Sequence, residues 1–285
     1  MPGLTEREVP TGVLYLCATP IGNLEDVSVR LLKTLRHVHL IACEDTRQTA
    51  KLLRRYRIRT PMLSYHQHNR RQREGELLET LREGHDVALL SDAGTPGISD
   101  PGSDLVRRAV EEGVAVTAIP GPSALVCALA ISGMDTSRFT FEGFLPPRAA
   151  RRRAFLQELR GEVRTMVFYE APHRVLETLA DMEEVLGDRR VTVARELTKR
   201  FEEVFRGALS QAREHFSQHP PRGEFTLVLE GSRGEAARVS AEQVRAEVEA
   251  LLAQGVEKKE ALRMKALQYG IPRRDIYRWL ARRED

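Results

Sequence analysis

One stretch of this chain gathers residue types suited to holding a ligand: Ser91-Asp92-Ala93-Gly94-Thr95-Pro96-Gly97-Ile98-Ser99-Asp100-Pro101-Gly102. Three glycines, two prolines and two aspartates lie there between a run that reads as a buried strand and one that reads as a helix. Glycine lets main-chain amides approach a ligand closely, and doubly wound sheets bind ligands outside the carboxyl ends of their strands. A simple strand-to-helix turn takes about 2 to 6 residues, so the length of this loop favours binding over a merely rigid connection. Thr19-Pro20-Ile21-Gly22-Asn23 and Pro120-Gly121-Pro122-Ser123-Ala124 end their own strands in the same way. Three such loops at one sheet edge define a cleft in which Asp92 can meet a cationic or hydroxyl-bearing ligand. Neither GxxxxGK(S/T) nor GxGxxG occurs, which argues against a phosphate-gripping nucleotide triphosphatase and against a dinucleotide fold.

Glu44, Asp45, Glu170, His173, Glu196 and Lys199 fall at loop-like ends of predicted strands, where such groups can do acid–base work. Each also has a structural reading. Glu44-Asp45-Thr46 suits a helix N-cap with acidic groups at its positive end. Arg174 either holds a phosphate or fixes Glu170 through a bidentate pair. Glu196 and Lys199, three apart, read as a helix-surface pair worth about 0.2 to 0.5 kcal/mol. His66-Gln67-His68 puts alternate histidines on one strand face, but spacing assigns no third or fourth ligand, so no metal is expected and RNA contact by His66 or Asn69 is the better reading.

The elements that must position these groups alternate. Strands are predicted at Val13 to Ala18, Leu40 to Cys43, Val87 to Leu90 and Val114 to Ile119. Helices are predicted from Ser28 on the apolar spacing Val29, Leu32, Leu35, then at Thr46 to Tyr56, Leu77 to Leu81 and Asp104 to Glu112. Strands alternating with helices imply a mainly parallel sheet. From Phe139 the spacing changes, with strands at Phe139 to Phe144, Thr165 to Tyr169, Val191 to Ala194 and Phe225 to Leu229, and a basic helix at Arg151 to Leu159. After a linker at Arg233-Gly234-Glu235-Ala236, helices at Ser240 to Gln254, Lys258 to Tyr269 and from Ile271-Pro272 onward form a small bundle. The expected division is 1–120, an α/β domain; 121–232, a second mixed α/β domain with the cleft between the two; and 233–285, a helical, helix-turn-helix-like domain.

With 285 residues, 41% hydrophobic and 30% charged, the chain is expected to be a soluble globular protein with a sizeable core. Its apolar runs fall far short of the ~20 residues of a membrane span, and MPGLTEREVPTG has no secretory-signal pattern, so a cytoplasmic location is expected. Cys17, Cys43 and Cys127 lie far apart and suggest reduced, buried thiols. Only six of the 44 basic residues are lysine, and the net charge is just +3, so local arginine clusters matter more than the total. Arg70-Arg71-Gln72-Arg73, Arg148 to Arg153 and Arg273 to Arg283 suit phosphates, or else are solvated helix faces. Tyr277 and Trp279 could stack on bases or belong to a core.

The motifs TPIGNL (19–24), EDTR (44–47), SDAGTPGISDPG (91–102), PGPSA (120–124), FEGFLP (141–146), YEAPHR (169–174) and ARELTK (194–199) together resemble the ribosomal RNA small subunit methyltransferase I family, of the tetrapyrrole-methylase fold. The resemblance runs from Gly12 to the C-terminus. It implies an α/β tetrapyrrole-methylase-like two-domain fold with S-adenosylmethionine (S-adenosyl-L-methionine) bound between the domains. The implied cofactor contacts are Pro20 on the first loop, Asp92, Ala93, Gly94, Thr95 and Ile98 on the long loop, and Ser123 and Ala124 after the fourth predicted strand. Tyr169, Leu197 and Thr226 are further candidates that read equally as core. The implied activity is 2'-O-methylation of a decoding-region cytidine in 16S ribosomal RNA within the small subunit, by a homodimer. Transfer from a sulfonium rests largely on positioning, and a ribose hydroxyl also benefits from a nearby base. Glu170 and Lys199 are the candidates for that chemistry, with Glu44 and Asp45 orienting the substrate. Two other readings stay open: a precorrin-type tetrapyrrole C-methyltransferase, whose carboxylated macrocycle would also welcome arginine, and a nonenzymatic RNA-binding assembly factor.

Overall fold

The structure is a computed structural model that describes residues 11–99, 102–218, 220–232, 241–269 and 273–281. The first ten residues, Asp100-Pro101, the linker at Arg233 to Ala236, Gly270-Ile271-Pro272 and Arg282-Arg283 lie outside the described residues.

The first sheet is built from β1 (Val13–Cys17), β2 (Leu40–Cys43), β3 (Met62–Ser64), β4 (Val87–Leu90) and β5 (Ala115–Ile119), in the order β3-β2-β4-β1-β5. Every pairing is parallel. Helices α1 (Val29–His37) and α2 (Thr46–Arg55) cover one face through Leu31, Leu35, Leu52 and Leu53. Helices α3 (Arg70–Arg82) and α4 (Gly102–Glu111) cover the other through Leu77, Leu81, Leu105 and Ala109. Ser28 caps α1 by accepting the Leu31 amide at 3.0 Å. Val29, counted in the predicted apolar stripe, is instead 70% exposed, and Leu31 takes its place. From β1 the chain crosses past β4 to β2, and from β4 it crosses past β1 to β5. The strand order therefore reverses between β1 and β4, and such a switch point opens a crevice at the strands' carboxyl ends.

The second sheet contains β6 (Phe139–Phe144), β7 (Thr165–Glu170), β8 (Arg190–Arg195), β9 (Glu203–Ala208) and β10 (Phe225–Leu229), ordered β6-β7-β10-β8-β9. Only β6 and β7 are parallel, so the sheet is mixed. Met166, Phe168, Val193 and Leu227 face helices α6 (Ala149–Glu158), α7 (Val175–Leu186) and α8 (Leu209–Ser217). Val167, Ala194 and Val228 face α5 (Ala124–Ile131). Ile21, from the loop after β1, is buried in that last cluster, so a loop of the first sheet packs against the second.

The cluster Arg148 to Arg153, expected to bind phosphate, is corrected in part by its packing. Arg152 is 1% exposed, donating from Nε to Asp181 Oδ2 at 2.6 Å and from Nη2 to Glu177 Oε2 at 3.3 Å, while Arg153 Nε donates to Asp181 Oδ1 at 2.6 Å. These two arginines fasten α6 to α7. Arg70 pairs with Asp104, and Arg73 with Glu76 at 2.6 Å. Asn69, considered for RNA, holds its own turn: its side chain accepts the His66 amide at 2.8 Å and donates to the Ser64 carbonyl at 3.0 Å.

Helices α9 (Ala241–Ala253), α10 (Lys258–Tyr269) and α11 (Arg273–Ala281) pack around Val244, Val248, Ala261 and Ile276. Trp279 lies against this cluster, whereas Tyr277 is 56% exposed with Lys258 Nζ 5.1 Å from its ring centroid. No helix among the described residues is long and apolar enough to cross a membrane.

All three cysteines are free. Burial pushes the Cys17 thiol up to about 12 and also raises that of Cys43. Because the thiolate is the reactive form, Cys17 and Cys43 are expected to resist iodoacetamide in the folded protein at pH 8.5. Peptide mapping after alkylation checks this, and labelling at either position without denaturant contradicts it.

Candidate active site

Three loops leave the carboxyl ends of β1, β4 and β5, and the backbone ties them together. Thr19 and Gly94 exchange two hydrogen bonds, of 2.8 and 3.0 Å, as an isolated antiparallel bridge. Thr19 Oγ1 donates to the Ser91 carbonyl at 3.1 Å, and Thr95 Oγ1 to that of Pro122 at 3.4 Å. Gly94 has φ of +80°, a conformation that favours glycine, and a Cβ at Gly121 would come within 3.0 Å of Ala18 Cβ. The loop after β2 joins through Asp45, whose amide donates to Asp92 Oδ1 at 2.9 Å.

Between the sheets these loops border a cavity of about 380 Å³. Asp92, Ala93, Gly94, Thr95, Ile98, Ser123 and Ala124, all expected to contact the cofactor, line it, and so do Tyr169 and Thr226, which are paired across β7 and β10. Tyr169 accepts the Leu125 amide at 3.2 Å, and its phenol is pushed up by burial. Glu44 and Glu170 also line this cavity. Pro20 lies instead on an adjoining cavity of about 420 Å³, with Lys199, Lys51 and Gln48. Asp92, Ala93, Ser91, Ile21 and Glu224 border both. Leu197 borders neither and is buried beside Ile21, Val167 and Ala194.

The acid–base candidates differ in how they are held. Glu170 is 2% exposed, its carboxylate accepting from Thr178 Oγ1 at 2.6 Å and from the Ala171 amide at 2.8 Å. The expected bidentate pair with Arg174 is replaced by one 3.5 Å approach, because Arg174 Nη2 donates to the Leu145 and Pro146 carbonyls. Asp45 caps α2 by accepting the Arg47 amide at 2.8 Å, and it pairs with both Arg47 Nε and Nη2. Those hydrogen bonds bring its carboxyl down to about 2. Glu196 and Lys199 sit on a turn and not on a helix surface, with Lys199 Nζ 2.8 Å from Glu196 Oε1 and 3.1 Å from Glu224 Oε2. Burial lowers the Lys199 pKa, but its hydrogen bonds to the two carboxylates outweigh that and leave it raised. Lys199 therefore stays an ammonium at neutral pH and cannot accept a proton. His66 meets His68 edge-on at 5.9 Å, and among the described residues no group of three His, Cys, Asp or Glu is placed to hold a metal.

Sequence reasoning missed Phe144, Glu224 and Phe225 as cavity residues. Phe144 stood inside the FEGFLP motif, which was the available signal. Glu224 belongs to the short Pro-Arg-Gly-Glu run before β10, where nothing in residue type marks it.

Residues 13–213 match the tetrapyrrole (corrin/porphyrin) methylases. A protein of Synechocystis sp., Ribosomal RNA small subunit methyltransferase I, is 50% identical over 268 residues, covering 93% of this chain and 96% of that one. The chain belongs to the ribosomal RNA small subunit methyltransferase I family of the tetrapyrrole methylases. The Thermotoga maritima protein of this family is 52% identical over 220 residues, 77% of this chain and 99% of its own. Among solved structures, the cobalamin biosynthetic enzyme cobalt precorrin-4 methyltransferase superposes with a TM-score of 0.61 at 17% identity, covering 80% of this chain and 98% of that one. At that identity the likeness concerns the fold.

Enzymes of the tetrapyrrole methylase family use S-adenosylmethionine as methyl donor. The cavity between the sheets suits that molecule. Its volume is in the range of small-molecule sites. Ile21, Ala93, Ala124 and Phe225 offer apolar wall, and Asp92, Glu44 and Glu224 offer negative charge. Such a set fits a ligand with an aromatic base at one end and positive charge at the other.

Proposed function

We propose that this protein transfers the methyl group of S-adenosylmethionine to the 2'-hydroxyl of a cytidine in 16S ribosomal RNA. The observation that carries this is the near-full-length identity of 43 to 50% to proteins named Ribosomal RNA small subunit methyltransferase I in Bacillus subtilis and Synechocystis sp.. The ribose and cytidine specificity rests on the motif resemblance. We further infer a homodimer acting in the cytoplasm, where small subunits are assembled.

The donor supplies an electrophilic methyl on a sulfonium, so the chain has three tasks: to hold the donor, to bring the ribose oxygen in line, and to receive its proton. In this proposal the long-loop residues Asp92 to Thr95, with Ile98, Ser123, Ala124, Tyr169 and Thr226, hold the donor. The second cavity, which shares Asp92 with the first, admits the acceptor past Pro20. Lys199, a fixed ammonium, neutralises the acceptor's phosphate. Glu44, lining the cavity beside Asp92, is proposed to take the hydroxyl proton. Glu170 shapes the Ala171-Pro172 wall, and Asp45 acts through its amide by fixing Asp92. Much of the acceleration comes from alignment, which alone can remove about 7 to 11 kcal/mol of a barrier.

The test is incubation of the protein and methyl-labelled S-adenosylmethionine with small ribosomal subunits from a strain lacking its gene, followed by nucleoside analysis. Label on a 2'-O-methylcytidine is expected. Label confined to a base refutes the ribose assignment, and absence of label from RNA refutes the substrate.

A further inference from the structure

The turn that follows β8 is held in a costly backbone conformation. Glu196 has φ of 52° and Thr198 of 65°, both in the left-handed region that non-glycine residues seldom occupy. Several contacts enforce it. The Glu196 amide donates to the Glu224 carbonyl at 2.9 Å, and Glu196 Oε1 accepts the Glu224 amide at 2.9 Å and Lys199 Nζ at 2.8 Å. The Thr198 amide donates to Glu202 Oε2 at 2.6 Å, and Thr198 Oγ1 accepts the Asn23 amide at 3.1 Å, fastening the turn to the loop after β1. Gly22 packs so tightly here that a Cβ would fall 2.3 Å from Lys199 Cγ. Backbone strain maintained by surrounding contacts concentrates at functional sites.

What this turn presents is Lys199-Arg200-Phe201. Lys199 borders the second cavity. Phe201 is 67% exposed, and the Arg200 guanidinium carbon lies 5.5 Å from its ring centroid. A single exposed phenylalanine is ordinary. One stacked with the Arg200 guanidinium and two residues from Lys199, which borders a cavity sharing Asp92 with the methyl-donor site, has the components of a single-strand clamp: an aromatic face for a base and positive charge for phosphates.

We propose that the Lys199-Arg200-Phe201 turn grips the single-stranded RNA beside the target nucleotide, with Phe201 stacking a neighbouring base and Arg200 and Lys199 engaging phosphates. This rests on RNA being the acceptor. The Glu224 side chain, 74% exposed, releases Lys199 as phosphate arrives.

The experiment compares wild type with Phe201→Ala, Phe201→Trp and Arg200→Ala. It measures steady-state methylation of unmethylated small subunits, S-adenosylmethionine binding by calorimetry, and sedimentation. Phe201→Ala is expected to raise KM for the subunit about fivefold or more, with kcat and donor affinity unchanged, and Phe201→Trp to keep the wild-type KM. Arg200→Ala is expected to flatten the dependence of log KM on log salt by about 0.7 to 1. An unchanged KM in Phe201→Ala overturns the clamp while leaving the RNA acceptor intact. So does a loss confined to donor binding. An unchanged KM with a shifted sedimentation coefficient would make the turn an interface between copies instead. If the wild type labels no RNA, the acceptor assignment falls first and the clamp with it.

Discussion

Replacing Asp181 by alanine is expected to destabilise the protein by about 3 to 5 kcal/mol, because it leaves the Arg152 guanidinium buried without its main counter-charge. Arg152 and Asp181 side chains are 2% and 4% exposed, and the same carboxylate also holds Arg153. The remaining partners of Arg152 are weak, the Pro147 carbonyl at 3.4 Å and Glu177 at 3.3 Å, the latter from a side chain that is 69% exposed. Urea unfolding checks the value, with a midpoint shift at constant slope. Arg152→Met combined with Asp181→Leu should recover most of the loss, since an apolar pair of similar volume removes the charge altogether. A cost below about 1 kcal/mol for Asp181→Ala would mean that water reaches Arg152 and that the pair does not fasten α6 to α7.

Asp92→Asn is expected to weaken S-adenosylmethionine binding tenfold or more, because a hydrogen bond or contact to a charged group is worth about 1.5 to 3 kcal/mol. The asparagine carbonyl can still accept the Asp45 amide, so the loops keep their arrangement and only the charge is lost. Calorimetry with S-adenosylhomocysteine, which lacks the sulfonium charge, locates the effect. A smaller loss for that ligand puts Asp92 opposite the sulfonium, and an equal loss puts it opposite the amino group. Unchanged affinity for both removes Asp92 from the site.

Much of this arrangement could be read from local sequence. The buried strands Val87 to Leu90 and Phe225 to Leu229 announced themselves as short apolar runs. The loop Ser91 to Ser99 did so by its glycines and prolines, since main-chain geometry is written in residue type. Strands β3 and β9 were missed for identifiable reasons. Met62–Ser64 is a three-residue strand following Pro61, and Glu203–Ala208 is an edge strand whose alternation is broken by Arg206 and Gly207. The roles of charged groups were least legible, because they depend on partners distant in sequence. Arg152 reads as surface until Asp181, 29 residues on, is seen to bury it. Glu170 reads as a base until Thr178 and the Ala171 amide occupy its oxygens. Lys199 reads as half of a helix pair until the strained turn sets it against Glu224.

The Thr19–Gly94 bridge settles when the cost of ordering the site is met. Its two hydrogen bonds form an antiparallel bridge just past the ends of the parallel β1–β4 ladder, so the loops are set in place once those strands register. A ligand then meets donors and acceptors already immobilised and surrenders little affinity to conformational entropy. The same economy has a liability. Anything that loosens the pairing of β1 with β4, even a cavity opened beneath Leu14 or Leu89 on the α3–α4 face of the sheet, reaches the binding site as lost preorganisation without touching a residue that lines it.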